Sequence, residues 1–439
     1  MAIDRAADMP KVLIVGTVPY NRQSTSRAFD SYFHYWPKDR LAQIFSNPQT
    51  PCKGHCSTLF QITDHDILKR WFHHREKTGR VYYDPDLPDT WNLSNKSKSG
   101  GLISKLYQIG SHKSSIIYLI RRLLWRKKYW CTPELNEWLD NFRPDCVFLA
   151  FSDDFFIPQI ALYVAERYGI PIVSCIGDDY YFNYKKTLSP LYHVYKLRYR
   201  NLIRRVFAHD GSAIYISNKI RDLYNREFGL EGETVYLTSE VERRPFRYIP
   251  EDDPVICYFG NIRLGRNDSL NEIGYALGKI APGYRLKVYS NELEERQYRK
   301  LMDNPNVEYC GQIPYSQVME HMRDCDIQII VEGFQKKDVD ITRYSLSTKV
   351  ADSLASGSAI FAYGSIECGA IEYAKSTKCI VTCTSKEALT ESLLVMLKDR
   401  NQQRINYDTA IEVYNENHTL DSSTSVFTEV VQRVLAKES

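Results

Sequence analysis

Residues 341–364 read ITRYSLSTKVADSLASGSAIFAYG, and this stretch predicts a loop, a helix and a buried strand in that order. Apolar residues recur at helical spacing across 350–355. Ser347 or Thr348 precedes the periodic run and is suited to cap the helix, while Gly357 follows it and is suited to end it. The apolar run after the glycine predicts the strand. This order of elements is typical of an α/β domain.

The N-terminus of the predicted helix is suited to bind an anion. Backbone N–H groups at a helix N-terminus point away from the helix, and a phosphate group is a common ligand there. Lys349 lies in the first turn, where a cation is unfavourable for the helix dipole. An anion in front of the helix would account for this lysine. We therefore expect Ser347, Thr348 and Lys349 to lie at an anion-binding site.

Length and composition limit the class of protein. The chain has 439 residues, which is enough for two ordinary domains. It is 43% hydrophobic and 25% charged, as globular proteins are, and its net charge of +3 gives no basic field for nucleic acid. The 11 cysteines show no metal-binding spacing. We expect a cytoplasmic protein with no signal peptide, no membrane span, no metal and no resident cofactor.

A strand pattern near the start of the chain is repeated in the second half. Residues 11–16, KVLIVG, and 254–260, PVICYFG, are both apolar runs that end in glycine. Such continuous runs are typical of parallel strands buried on both faces. We predict two Rossmann-like domains, 10–243 and 254–420, and a C-terminal helix, 421–439, that crosses back onto the first domain.

Polar residues follow several predicted strands of the first half. Gly16 ends the first strand, Asp153 follows a strand at 145–151, and Asp178 follows a strand at 170–176. Ligands of open α/β sheets bind at the carboxyl ends of strands, so these residues are candidates for a site. Each aspartate has an acidic neighbour, and at least one acid of each pair is expected to cap a following helix instead.

Two runs of the first half, residues 114–130 and 185–205, combine basic with apolar side chains. This composition favours a helix that lies on an anionic membrane surface. The alternative is that both helices pack on the sheet with a basic outer face. Between the early strands, residues 50–115 contain clusters of Pro, Gly, Ser and Asn, which predict an insertion or a mobile loop.

The run STKVADSLASG at residues 347–357 resembles the donor-binding segment of GT-B glycosyltransferases, especially the bacterial capsule and O-antigen group similar to family 4. The resemblance implies two Rossmann-like domains that face an interdomain cleft. In that family an acid at the position of Asp352 binds the nucleotide ribose. Many members also carry a glutamate near the donor sugar eight positions earlier, where this chain has Tyr344.

The resemblance also assigns roles to other loops of the second half. Gly260 and Asn261 open the loop that approaches the donor, and Arg266, or else Arg263, is expected to bind the diphosphate with Lys349. A guanidinium suits this role because it binds phosphate in a bidentate manner. Gln312 and Ile313 inherit positions near the base. Glu332 follows the predicted strand 327–331, and we expect it to reach the donor sugar hydroxyls that Tyr344 leaves uncovered.

The function that the resemblance implies is transfer of a sugar from a nucleotide-diphosphate sugar, with UDP favoured, to a lipid-linked or polysaccharide acceptor. The place would be the inner face of the plasma membrane, in surface polysaccharide synthesis, and no metal would be needed. Similarity favours retention of the anomeric configuration, whereas Asp153 or Asp178 acting as a base would mean inversion. The alternatives are a GT-B nucleotide-sugar epimerase and a catalytically degenerate scaffold protein.

Overall fold

A computed structural model describes residues 9–19, 26–73, 77–89, 115–183, 187–209 and 211–437. The described chain divides into two compact units. One unit lies within Met1–Tyr215, Arg221–Thr234 and Thr424–Ser439, and the other consists of Ile216–Ile220 and Val235–Ser423. Each unit contains one sheet, and each sheet is built mainly from parallel strands.

The sheet of the first unit has eight strands in the order β4-β3-β2-β1-β5-β6-β7-β8. Only the pair β3 and β4 is antiparallel. These strands are Val12–Val15, Leu41–Phe45, Thr58–Gln61, Arg80–Tyr83, Cys146–Ala150, Ile172–Ile176, Gly211–Tyr215 and Glu233–Thr234. The strand order reverses between β1 and β5, which is the position where ligands bind in doubly wound sheets.

The sheet of the second unit has six strands in the order β11-β10-β9-β12-β13-β14, all parallel. These strands are Ile256–Phe259, Leu286–Tyr289, Val307–Gly311, Ile327–Val331, Ala359–Tyr363 and Val381–Cys383. This is the strand order of a Rossmann fold, and it reverses between β9 and β12. Both strands are buried along their whole length, as a sheet covered by helices on both faces requires.

Helices connect the strands and cover the sheets. In chain order the helices of the described residues, α1 to α17, are Ser26–Phe33, Asp64–Phe72, Ser115–Leu124, Lys127–Trp130, Pro133–Phe142, Phe156–Tyr168, Pro190–Phe207, Asn218–Phe228, Arg266–Ile280, Glu295–Met302, Tyr315–Asp324, Lys336–Thr342, Lys349–Ser356, Gly369–Thr377, Leu389–Lys398, Arg400–Asn417 and Leu420–Ala436. Short 3-10 turns occupy Lys38–Arg40 and Asp84–Asp86.

The end of the chain belongs to the core of the first unit. Phe427 on α17 is fully buried, and its ring contacts the rings of Phe33 and Phe148 at centroid distances of 4.9 Å and 5.6 Å. Trp36 adds a third aromatic contact at 5.5 Å. These rings form an aromatic cluster against the central strand β5, so the terminal helix is packed into this unit and is not an exposed tail.

The prediction of an α/β protein with two Rossmann-like domains is confirmed by the two parallel sheets. The prediction that residues 50–115 form an irregular insertion is wrong for its first part. Strand β3, helix α2 and strand β4 lie there and extend the sheet, and the capped start of α2 at Thr63 is well defined. These strands have only four residues each, which is too short for a clear alternation of polar and apolar positions. The remainder of the prediction, residues 90–114, lies outside the described residues.

Candidate functional site

The loop, helix and strand predicted for residues 341–364 are confirmed. Helix α13 runs from Lys349 to Ser356, and Gly357 ends it in the left-handed conformation with φ of 79°. Thr348 occupies the N-cap position, but its side chain makes no capping hydrogen bond. The backbone N–H groups of the first turn are therefore not capped by that hydroxyl, which leaves this end of the helix suited to a ligand.

Helix α13 begins beside the point where the strand order of the second sheet reverses. Gly260 follows β9, Glu332 follows β12, and both strands end at the same edge because they are parallel. Ligands of doubly wound sheets bind at this position. The sequence placed both residues at strand ends, and the sheet order adds that these two strands are neighbours.

The Lys349 side chain lies directly over Gly260. A Cβ atom at position 260 would collide with Cε and Nζ of Lys349, and φ of Gly260 is +133°, a conformation that other residues rarely adopt. The ammonium nitrogen lies 5.9 Å from the centroid of the Tyr258 ring. A glycine is needed at position 260 because only its bare Cα leaves room for this lysine.

Arg266 and Glu332 form a bidentate ion pair at the same edge. Nε and Nη2 of Arg266 donate to the carboxylate at 3.1 Å and 2.9 Å, and Ser269 donates to the backbone carbonyl of Glu332 at 2.8 Å. Burial raises the pKa of Glu332, although the charge of Arg266 opposes that shift. The pair fixes the guanidinium and leaves Nη1 as the nitrogen of Arg266 without a partner among the described residues.

Lys349 supplies positive charge that the pair does not neutralise. Burial lowers the pKa of Lys349 to about 8, and repulsion from Arg266 acts in the same direction, while Glu332 and Asp352 partly oppose it. The ammonium is thus held where its charge is costly, and a bound anion would favour the protonated form. Two cations, Lys349 and Arg266, thus lie with Gly260 beside the N-terminus of α13, where the strand order of the sheet reverses. This arrangement is suited to bind an anion.

The other predicted donor residues occupy two environments. Arg263 donates to Glu292 at 2.5 Å and 2.9 Å and to Glu294 at 3.0 Å. The hydrogen bonds that Glu292 accepts from Arg263 and from the Glu294 N–H lower the pKa of Glu292 to about 2. Asp352 is buried and accepts a hydrogen bond from the Ser239 hydroxyl at 2.7 Å. The phosphate role of Arg263 and the ribose role of Asp352 stay predictions.

Several further donor candidates lie in the loops around this edge. Gln312 is exposed after β11, and Ile313 beside it is half-buried. The Asn261 side chain accepts from the Arg263 N–H at 2.7 Å. The carbonyl of Tyr344 accepts from the Ser217 hydroxyl at 2.8 Å, and the carbonyl of Ser347 accepts from the Val350 N–H at 3.1 Å. Their contacts with a nucleotide sugar stay predictions.

Sequence reasoning missed Asp338. This residue lies in α12, its side chain is buried, and its Oδ2 atom has no hydrogen-bond partner among the described residues. It lies against the two glycines that flank the ion pair, since a Cβ at Gly265 would lie 2.8 Å from Oδ2 and a Cβ at Gly333 would lie 3.2 Å from its Cβ. An acid in the first turn of the helix that follows β12 was the available signal.

The candidates of the first unit lie at the carboxyl edge of their own sheet. Gly16 is buried, and its N–H donates to the carbonyl of Ile44 at 3.1 Å. Asp153 follows β5, Asp178 follows β6, and both side chains are exposed. Burial raises the pKa of Tyr180, and the negative charges of Asp178 and Asp153 raise it further. The roles of these two aspartates at an acceptor site stay predictions.

The neighbouring acids have structural roles, but neither caps a following helix as expected, since the N-cap residues of α6 and α7 are Phe155 and Ser189. Asp154 forms an ion pair with Arg121. Asp179 accepts from the N–H groups of Tyr181 and Phe182 at 3.0 Å and 2.8 Å and from the Tyr224 hydroxyl at 2.9 Å. Within the part of the chain that the structure describes, no group of three or more His, Cys, Asp or Glu side chains is placed to hold a metal ion.

The two basic runs become helices that pack together in the first unit. Helix α3 contacts α7, and each retains exposed apolar residues, such as Leu123 at 56% exposure and Leu197 at 57%. Residues 114 and 185–186 lie outside the described residues. Of the helices described, none combines the length and the hydropathy that crossing a bilayer requires.

Comparison with solved structures identifies the fold. The chain matches HepE from Anabaena in complex with UDP, with a TM-score of 0.56 and 12% identity over 96% of this chain and 100% of that one. It also matches an E. coli structure described as trehalose-6-phosphate bound with UDP-2-fluoro glucose, with a TM-score of 0.58 and 9% identity over 97% and 98% of the two chains.

A third match has a similar TM-score. Sucrose-phosphate synthase from Thermosynechococcus elongatus gives a TM-score of 0.56 and 9% identity over 98% of this chain and 100% of that one. Neither a scan against protein-family models nor a search of curated proteins finds a match. At these identities the likeness establishes the fold, which is GT-B along nearly the whole chain.

Proposed function

We propose that this protein is a glycosyltransferase that uses a nucleotide-diphosphate sugar, with UDP favoured. One observation carries the proposal: the Lys349 ammonium is seated over Gly260, beside the Arg266–Glu332 pair and the start of α13, where the strand order reverses. A diphosphate is the anion that suits this combination of a lysine, a guanidinium and helix N–H groups.

In the proposed reaction the bond between the anomeric carbon and the diphosphate oxygen breaks, and a bond to an acceptor hydroxyl forms while that hydroxyl loses its proton. Negative charge develops on the leaving diphosphate. Lys349, Nη1 of Arg266 and the first-turn amides of α13 stabilise this charge, and because they are already fixed, little reorganisation is required. We propose that these groups replace the metal ion that other transferases use.

Roles are also proposed for other residues of the two units. Asp352, oriented by Ser239, is proposed to bind the ribose, and Gln312 with Ile313 the base. Glu332 and Tyr344 are proposed to lie near the donor sugar. In the first unit Asp153 or Asp178 is proposed to contact the acceptor hydroxyl or to take its proton.

Two of the matched structures support a uridine nucleotide, because one contains UDP and the other a fluorinated UDP-glucose. The acceptor is proposed to be a lipid-linked or polysaccharide glycan in surface polysaccharide synthesis. Exposed Leu123 and Leu197, among basic neighbours on α3 and α7, support placement on the inner face of the plasma membrane.

Calorimetry with UDP, ADP, GDP and their glucose conjugates tests the proposal. We expect saturable binding of one nucleotide class, and we expect Asp352→Asn to weaken it because the ribose hydroxyls lose a charged acceptor. An exposed control, Asp340→Asn, should leave affinity unchanged. Absence of all nucleotide binding would favour a scaffold protein, and conversion of a donor into its epimer without acceptor would favour an epimerase.

Gly260→Ala should weaken UDP binding at least about tenfold, because the new Cβ displaces Lys349 and because the conformation costs about 1–3 kcal/mol for a residue other than glycine. Gly283→Ala is the matched control, since a Cβ there meets no atom within 4 Å. Calorimetry and thermal unfolding of both variants measure the two effects. Equal UDP affinity in both variants would remove the Gly260–Lys349 contact from the site.

A further inference from the structure

A groove on the first unit is not used by the proposed reaction. Helices α3, α4, α6 and α7 enclose it, and its volume is about 770 Å³. That is within the usual range for a site that takes a ligand of several hundred daltons. Its lining separates into an apolar wall and a basic rim. Such a lining suits a ligand that has an apolar part and an anionic part.

The apolar wall comes from helices on both sides of the groove. Leu162 on α6 and Leu202 on α7 are buried, Leu119 on α3 is half-buried, and Leu123 is 56% exposed. Leu123 therefore continues the wall from the interior of the groove to the protein surface. A hydrocarbon chain that lay along this wall would cover apolar area that otherwise faces water, which is favourable at roughly 25 cal/mol per Å².

The rim carries an excess of positive charge. Its cations are Arg122, Arg126, Lys127, Arg198 and Arg205, and Glu166 is the one acid in the lining. Glu166 is already paired with Arg205 at 3.2 Å. Among the residues that the structure describes, the other three arginines form no ion pair with a carboxylate.

Two of these arginines act on each other. Burial lowers the pKa of Arg122, and the charge of Arg198 from the opposite helix lowers it further. Arg122 also lies 5.8 Å from the centroid of the Phe155 ring, which orients its guanidinium. Two like charges held together at a partly desolvated position are unfavourable unless an anion lies between them.

Trp130 gives an independent indication of a ligand. It lines the groove and is 2% exposed, and its Nε1 donor has no acceptor among the described residues. Buried indole N–H groups normally find a hydrogen-bond partner. A ligand oxygen that reached this buried nitrogen would supply the missing acceptor.

We propose that the groove binds one molecule of an anionic phospholipid, with the headgroup phosphate between Arg122 and Arg198 and an acyl chain along the leucine wall. The lipid is held by charge at the rim and by apolar contact inside. This inference rests on the membrane placement stated under the proposed function and not on the sugar transfer. A seated lipid would fix the first unit at the bilayer surface rather than only attract it there.

Calorimetry of the full chain with dioctanoyl phosphatidylglycerol, below its micelle concentration, tests the proposal. We expect a stoichiometry of one and an affinity that falls at least tenfold in the double variant Arg122→Gln/Arg198→Gln. The matched control is Lys69→Gln/Arg226→Gln, which removes the same charge from exposed positions of the same unit outside the groove. Leu123→Glu, a change at an exposed position, should weaken binding as well by placing a carboxylate on the apolar wall.

Two comparison ligands separate the contribution of the acyl chains from that of the headgroup charge. Glycerol phosphate, which lacks the chains, and dioctanoyl phosphatidylcholine, which has no net charge, should both bind at least tenfold more weakly. Equal binding of glycerol phosphate would mean a site for a soluble phosphate ester and would overturn the lipid assignment. Equal lipid affinity in the groove and control variants would also overturn it.

Vesicle co-sedimentation distinguishes this proposal from the one on which it rests. If the wild type binds no phosphatidylglycerol vesicles, the membrane placement itself is wrong. If it binds them and the Arg122→Gln/Arg198→Gln variant binds as well as the control variant does, the placement stands and the groove is not the lipid site. UDP affinity should be the same in all these variants, because the groove lies in the unit that does not hold Lys349.

Discussion

The Lys349→Met variant is expected to bind UDP about 10- to 100-fold more weakly, since a hydrogen bond from a charged group contributes about 1.5–3 kcal/mol. Turnover of the active nucleotide sugar should fall further, by about 10²- to 10³-fold, because the leaving diphosphate gains charge in the transition state. Methionine keeps the apolar stem over Gly260, so the loss reports the ammonium. Lys336→Met, at an exposed position of α12 where Lys336 forms an ion pair with Asp340, is the control.

The pH dependence gives a second measurement of the same lysine. The pKa of Lys349 is about 8, so the free protein loses the ammonium as the pH rises through that value. UDP attracts the protonated form, so its affinity should be level up to about pH 7, fall about twofold by pH 8 and then fall by up to about tenfold per pH unit. Lys349→Met should abolish this dependence. A dependence that persists in the variant would assign the titration to another group.

Arg266→Ala should destabilise the fold and also abolish most of the turnover. The carboxylate of Glu332 is 4% exposed, and removal of its partner leaves a buried charge, which costs about 3–5 kcal/mol of unfolding free energy. Arg266→Met/Glu332→Gln removes both charges and should recover most of that stability while turnover stays low. Chemical denaturation and kinetics of the single and double variants measure the two effects separately.

This pair of variants distinguishes a structural from a catalytic role. If Arg266 only neutralises Glu332, the double variant should turn over as fast as the Glu332→Gln single variant. If the guanidinium also contacts the diphosphate through Nη1, the double variant should be stable but slower than Glu332→Gln alone. Activity close to wild type in the double variant would exclude Arg266 from the site, while the role of Lys349 would be unaffected.

Local patterns in the sequence were sufficient for the elements around the site. Helical spacing and a glycine stop defined α13, and apolar runs that end in glycine or acids defined the strand ends at Gly260 and Glu332. Because all strands of a parallel sheet end at one edge, these residues could be assigned to one side of the molecule. The short strands β3 and β4 were missed, since segments of four residues carry little periodicity.

The sequence by itself therefore determined the α/β class, the repeat of a Rossmann-like unit and the bounds of α13, because each depends on residues close together in the chain. Only the tertiary structure decided that Lys349 lies over Gly260, that Arg266 is tied to Glu332 and that Arg122 and Arg198 line the same groove. These side chains come from segments far apart in sequence, and the contacts between them depend on strand order and helix packing, which local periodicity does not encode.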